Sequence, residues 1–124
     1  MLDLDGFKEI NDTLGHHSGD LLLRRLGPRM LDAMGPDDLL VRLGGDEFAI
    51  VIASVTRVAG IMKRAEHLLE ILRRPFELED IEVKVDASIG IALAPDHGQD
   101  SSVLLRHADV AMYSAKRRNL NVVL

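Results

Sequence analysis

Cysteine and tryptophan are absent from this chain. The lack of thiols excludes a disulfide scaffold and a thiolate metal site, and it suits a reducing compartment. Aromatic residues make up only 3% of the 124 residues, so the core has to be built from Leu, Val, Ile, Ala and Met. No apolar run approaches the roughly 18 residues of a membrane span, and no signal-peptide pattern opens the chain. This segment is therefore expected to make no membrane contact and to reside in the cytoplasm. An excess of basic charge is missing too. The formal net charge is −5, which argues against general nucleic-acid binding, because phosphate backbones demand a basic face. A single nucleotide held through a metal remains compatible with that charge. Forty-seven per cent hydrophobic and 28% charged residues describe an ordinary globular protein, long enough for one domain and too short for two.

What is present centres on Arg42-Leu43-Gly44-Gly45-Asp46-Glu47-Phe48. Leu39, Val41 and Leu43 alternate before it and an apolar run, 48–52, follows, so the stretch reads as a β-hairpin with two acids at its tip. Glycine permits positive φ and close approach of a ligand to the backbone, and adjacent carboxylates repel each other unless a cation neutralises them. The tip thus points to a metal–phosphate site. A solvated acidic turn has the same composition, and a second acidic cluster is what separates the two readings. Leu2-Asp3-Leu4-Asp5 supplies one, alternating apolar and acidic residues as the end of a strand does.

Elsewhere the pattern predicts a short helix from Phe7, with Ile10 and Leu14 on one face, whose first-turn N–H groups would sit beside Asp3 and favour a phosphate. A break over 15–19 follows, then a helix from Ser18 or Asp20 to about 34 that Pro28 should kink or displace. A turn over 35–38 leads into the hairpin. Apolar residues at 3.6-residue spacing then predict a helix over about 56–74 with Thr56 as N-cap. A second hairpin is expected from 76–78 and 83–94, its long arm alternating strictly and burying one face. A last helix over about 101–118 and a short edge strand over 121–124 complete the order βααββαββαβ, an α+β sandwich with helices packed on one sheet.

Gly44-Gly45-Asp46-Glu47-Phe48 matches letter for letter the signature of the GGDEF family, the diguanylate cyclases. Asp3-Leu4-Asp5-Gly6-Phe7-Lys8, Ile10-Asn11-Asp12, Gly15-His16, Gly19-Asp20, Ala87-Ser88-Ile89-Gly90 and Ala108-Asp109-Val110-Ala111-Met112-Tyr113 with Ala115-Lys116 follow in the family's order. The chain therefore resembles that family over nearly its whole length. The resemblance implies a ferredoxin-like sandwich of the nucleotide-cyclase and palm type, here as a single domain over 1–124 that lacks the family's N-terminal helix and the start of its first strand. It implies Mg²⁺, or Mn²⁺ in its place, held by Asp3, the Leu4 carbonyl, Asp46 and Glu47, with Asp46 and Glu47 catalytic. It implies GTP bound by Phe7, Lys8, Asn11, Asp20, Gly44, Gly45 and Lys116. Asn11 and Asp20 read guanine, since an amide and a carboxylate together match its hydrogen-bonding edge. The implied reaction joins two GTP into cyclic di-GMP in a homodimer, and the resemblance to versions fused ahead of EAL domains implies a sensor or EAL neighbour. A GTP-binding regulatory module without turnover is the alternative.

Two departures stand out. The family continues past the lysine with X-X-Gly-Arg-Asn, and here Asn119-Leu120-Asn121 follows, so either leucine replaces a phosphate-binding arginine or a two-residue deletion shifts Arg118-Asn119 onto it. Upstream, the product-binding Arg-X-X-Asp reads Gly35-Pro36-Asp37-Asp38, which predicts no tight product binding there. The histidines have no metal-like spacing, and none is expected to bind metal.

Overall fold

The computed structural model describes residues 1–55 and 57–124. Strand β1, Leu2–Asp5, lies at the centre of a five-stranded sheet because both its faces are covered. On one side it pairs antiparallel with β3, Glu47–Val51, which in turn pairs with β2, Leu39–Gly44. On the other it pairs antiparallel with β6, Asp86–Gly90, which carries the parallel edge strand β7, Val122–Val123. The order is β2-β3-β1-β6-β7. This is the mixed α+β architecture expected.

Alternation along β1 divides the sheet chemically. Leu2 and Leu4, with Phe48, Ala87 and Ile89, point to one face. There they meet Leu22, Leu26 and Met30 of helix α2, His16–Asp32, and Ile61, Ala65, Leu68 and Leu72 of helix α3, Val58–Leu72. Each of these leucines contributes on the order of 1.5–3 kcal/mol by leaving water. Asp3, Ser88 and Gly90 point to the other face, beneath helix α4, Ser101–Arg118, which buries Ala108, Ala111, Met112 and Ala115. Small residues on both sides let this helix settle onto the strand. A Cβ on Gly90 would fall on the backbone of Ala108 and Met112.

Several expectations need correction. The long arm over 83–94 is not one strand: β5, Ile81–Val83, pairs with β4, Phe76–Leu78, in a separate ribbon, and only β6 joins the main sheet. The order gains one strand, βααββαβββαβ. Nor does the arm bury one face alone. Ser88 is 3% exposed and Gly90 is buried, because α4 covers what alternation marked as the outer side. Helix α2 starts at His16, since Gly15 with φ 91° suffices to separate it from α1, Phe7–Leu14. It also passes through Pro28, on an exposed stretch where water can serve the carbonyl that proline leaves unpaired. Helix α3 is capped by Arg57; Thr56, the expected cap, lies outside the described residues.

Asp38 ties three segments together. Its side chain is 1% exposed and accepts from the Gly35 amide at 2.7 Å, the Ala53 amide at 3.3 Å and the Arg64 guanidinium of α3. Burial acts to raise its carboxyl, but Arg64 first, then the two amides, hold it below the usual carboxylate range. That contribution to stability is complete above the unfolded value near pH ~4 and fades as acid protonates the folded group. Asp38→Ala should cost about 2–4 kcal/mol in urea unfolding at neutral pH, because it orphans a part-buried guanidinium and two amides. A loss under roughly 0.5 kcal/mol would show these bonds to be dispensable.

Candidate functional site

The hairpin tip is built by its glycines. Between the pairs Arg42↔Phe48 and Gly44↔Glu47 the register shifts, and Gly44 and Gly45 take φ of 152° and 52°. Side chains rarely tolerate such values. Arg42 Nε donates to the Gly45 carbonyl at 3.0 Å, bracing the turn, and the Leu4 amide donates to the Asp46 carbonyl at 3.2 Å, fastening the tip to β1. Asp3 and Glu47 are direct cross-strand partners, so both carboxylates leave the sheet on the α4 face. Asp46 and Glu47 are half-buried, whereas Asp3 is 8% exposed.

Lys116, in the last turn of α4, reaches this cluster. Its Nζ lies 2.8 Å from Asp3 Oδ1, a charge-assisted contact to a buried oxygen that no other described group serves. Burial raises the Asp3 carboxyl above the usual carboxylate range; Asp46 and Glu47 add to this and Lys116 works against it. Burial pulls the Lys116 ammonium down, but Asp3, then Asp5 and Asp46, hold it above the usual lysine range. Asp5 itself is fixed by Ser88, whose hydroxyl donates to it at 3.0 Å.

The strands bearing the two acidic clusters therefore pair side by side. Among the described residues, however, no three carboxylate or imidazole groups close on a common point. The donor set nonetheless fits a hard divalent cation: the Asp3 and Glu47 carboxylates leave the sheet on one face, and the buried Asp3 oxygen is met only by the Lys116 ammonium among the described residues. Asp3, Asp46, Glu47 and the Leu4 carbonyl are the residues that would hold it.

Helices α1 and α2 form the neighbouring part. Gly6, with φ 73°, opens α1, and no side chain caps that end. Lys8 is exposed on its first turn, while the Phe7 ring is half-buried against the core, so its side chain serves packing and only its backbone faces the helix opening. Asn11 lies against Gly19, where a Cβ would overlap its amide. Gly19 is buried inside α2 for that reason and does not break it. Asp20, next along, lines a cavity of about 440 Å³ together with Leu23, Arg24 and Arg42. Neither arginine was assigned a role from the sequence, although Arg42 directly precedes the Leu43-Gly44-Gly45 turn. His16 and His17 open α2, and His17 Nε2 meets Glu79 Oε1 at 2.9 Å.

Asn119 closes α4 in the left-handed conformation, φ 53°, that a glycine would otherwise take. The Asn121 amide then donates to the Ala87 carbonyl at 3.1 Å. Leu120, which takes the arginine's place if there is no deletion, is 42% exposed.

Comparison with known proteins agrees with this geometry. The family model described as "Diguanylate cyclase, GGDEF domain" matches residues 1–122. Cyclic di-GMP phosphodiesterase PdeR of Escherichia coli is 49% identical over 93% of this chain and 17% of its own length. The bifunctional diguanylate cyclase/cyclic di-GMP phosphodiesterase MucR of Pseudomonas aeruginosa is 43% identical over 98% of the chain and 18% of its own. The chain thus spans less than a fifth of these two relatives. Among solved structures, the GGDEF domain of TpbB from P. aeruginosa superposes with a TM-score of 0.93 at 38% identity, covering 99% of this chain and 79% of that one. The GGDEF domain of DgcB from Caulobacter crescentus, in complex with c-di-GMP, gives 0.85 at 26%, covering 98% and 73%.

Proposed function

The chain belongs to the GGDEF domain family, and from that premise we propose that it is a diguanylate cyclase domain, condensing two GTP into cyclic di-GMP and two pyrophosphates. The observation that carries the reading is the pairing of Asp3 with Glu47 across β1 and β3, beside a hairpin tip whose glycines leave the backbone open to a triphosphate. Bound there, Mg²⁺ or Mn²⁺ would neutralise phosphate charge and acidify the attacking 3′-hydroxyl. The protein's own part is positioning. Asp3, Asp46 and Glu47 supply hard oxygens, with Asp46 nearest the 3′-hydroxyl. The open first turn of α1, Lys8 and Lys116 meet the phosphates, and Asn11 and Asp20 read the guanine edge at the cavity lined by Asp20, Leu23, Arg24 and Arg42. One protomer carries one GTP, so the attacking hydroxyl and the α-phosphate it attacks come from facing subunits of a homodimer. The chain works in the cytoplasm, joined to a sensor or EAL domain.

Guanine recognition gives a direct test. Asn11→Ala and Asp20→Ala should each weaken GTP relative to ATP by about 1–3 kcal/mol, the cost of leaving a buried polar edge unpaired. Equal losses for both nucleotides in a calorimetric titration would remove these residues from that role.

A second reading, a GTP-binding regulatory module without turnover, is favoured by Leu120. In the arginine's place it removes a charge-assisted phosphate contact of roughly 1.5–3 kcal/mol. Pyrophosphate release from GTP by the purified chain separates the two readings.

A further inference from the structure

Lys116 stands in an unusual relation to the carboxylate cluster. Asp3 is almost sealed between its neighbouring strands and α4, and Asp46 and Glu47 lie beside it. Such a group of like charges needs a cation. Among the described residues the only ion pair to this cluster is the one from Lys116. That ammonium, at 2.8 Å, is the one partner of the buried Asp3 Oδ1 among the described residues. The lysine is also free to leave. Its backbone is locked between buried Ala115 and the Asn119 cap, but its side chain is 36% exposed and swings on a four-carbon stem. An arginine here would grip the carboxylate with two parallel bonds; a lysine is a mobile point charge.

We propose that Lys116 is a resident counter-cation: without metal it neutralises Asp3, and an arriving divalent cation takes Asp3 from it and frees its ammonium for the nucleotide's phosphates. The proposal rests on the metal site argued under the proposed function. Metal and lysine then compete for one oxygen while cooperating on one substrate. Metal binding before nucleotide is weakened by the lysine, and the phosphate contact becomes available only once metal is in place.

Two measurements on the full chain test this. In the first, amines of the wild-type protein are acylated with and without saturating Mn²⁺ and quantified by mass spectrometry, with Lys63 and Lys84 as internal controls. Modification of Lys116 should accelerate several-fold with Mn²⁺ while the controls do not change. In the second, Mn²⁺ is titrated without nucleotide into the wild type and into Lys116→Met, both checked for folding by circular dichroism. The variant should bind about tenfold more tightly, the effect of removing one nearby positive charge. Mn²⁺ binding with Lys116 reactivity unchanged, or binding no tighter in the variant, overturns the counter-cation while leaving the metal site standing. A wild-type chain that binds no Mn²⁺ at millimolar concentration, with Lys116→Met equally silent, overturns both.

Discussion

Asp46→Asn is expected to lower turnover of GTP by at least about a hundredfold while leaving the urea midpoint where it was. The two halves of that result have separate causes. The fold uses the backbone of Asp46, whose carbonyl accepts from Leu4, and an asparagine keeps that bond. The proposed site uses the carboxylate, half-buried at a tip whose shape is dictated by Gly44 and Gly45. An amide is nearly the same size but carries no charge, so under the proposed assignment the cation would lose one anionic donor and the attacking hydroxyl the group assigned to it. Retention of most of the Mg²⁺-dependent activity would refute the metal assignment; a fall in the urea midpoint would mean the carboxylate also braces the turn.

Gly90→Ala should be the most damaging substitution in the scaffold, costing about 3 kcal/mol or more. The added Cβ would meet the Ala108 carbonyl and the Met112 amide, which belong to the backbone of α4 and cannot rotate aside. Helix α4 has to lift from β6. Because Lys116 sits at the far end of the same helix, its ammonium should draw away from Asp3 as well. Urea unfolding measures the first effect, and amine acylation of Lys116 in the metal-free protein the second. A variant within roughly 1 kcal/mol of the parent would show that α4 accommodates a methyl group here. Gly19→Ala is a milder case, since the atoms in its way belong to the Asn11 side chain, which can turn.

Local pattern was enough for much of this molecule. Helix α4 runs over 101–118 as its apolar spacing predicts, and the hairpin with its two acids lies between the alternating residues before it and the apolar run after it. The alternation of Leu2-Asp3-Leu4 correctly assigns its leucines to the core and Asp3 to the opposite side. Each of these features is decided by residues within a few positions of one another: a helical stripe, a period of two, a pair of glycines that alone accept the turn's dihedrals. The family signature is local in the same sense, and with it residues for the proposed metal and guanine contacts could be named before any contact was known.

Contacts between distant segments decided the rest. Alternation over 83–94 cannot reveal that Val83 pairs with Phe76 while Asp86 pairs with Asp5, because both halves obey the same period. Nor can it show that α4 covers the side bearing Ser88 and Gly90, since a small polar residue looks the same whether it faces water or a closely packed helix. Asp38 reads as a turn residue until Ala53 and Arg64 are brought to it from 15 and 26 positions away. Lys116 reads as a phosphate contact until α4 lays it against Asp3, more than a hundred residues earlier in the chain. The chemistry of a side chain is written in its own identity and its near neighbours, but the charge it must balance belongs to whatever the fold sets beside it.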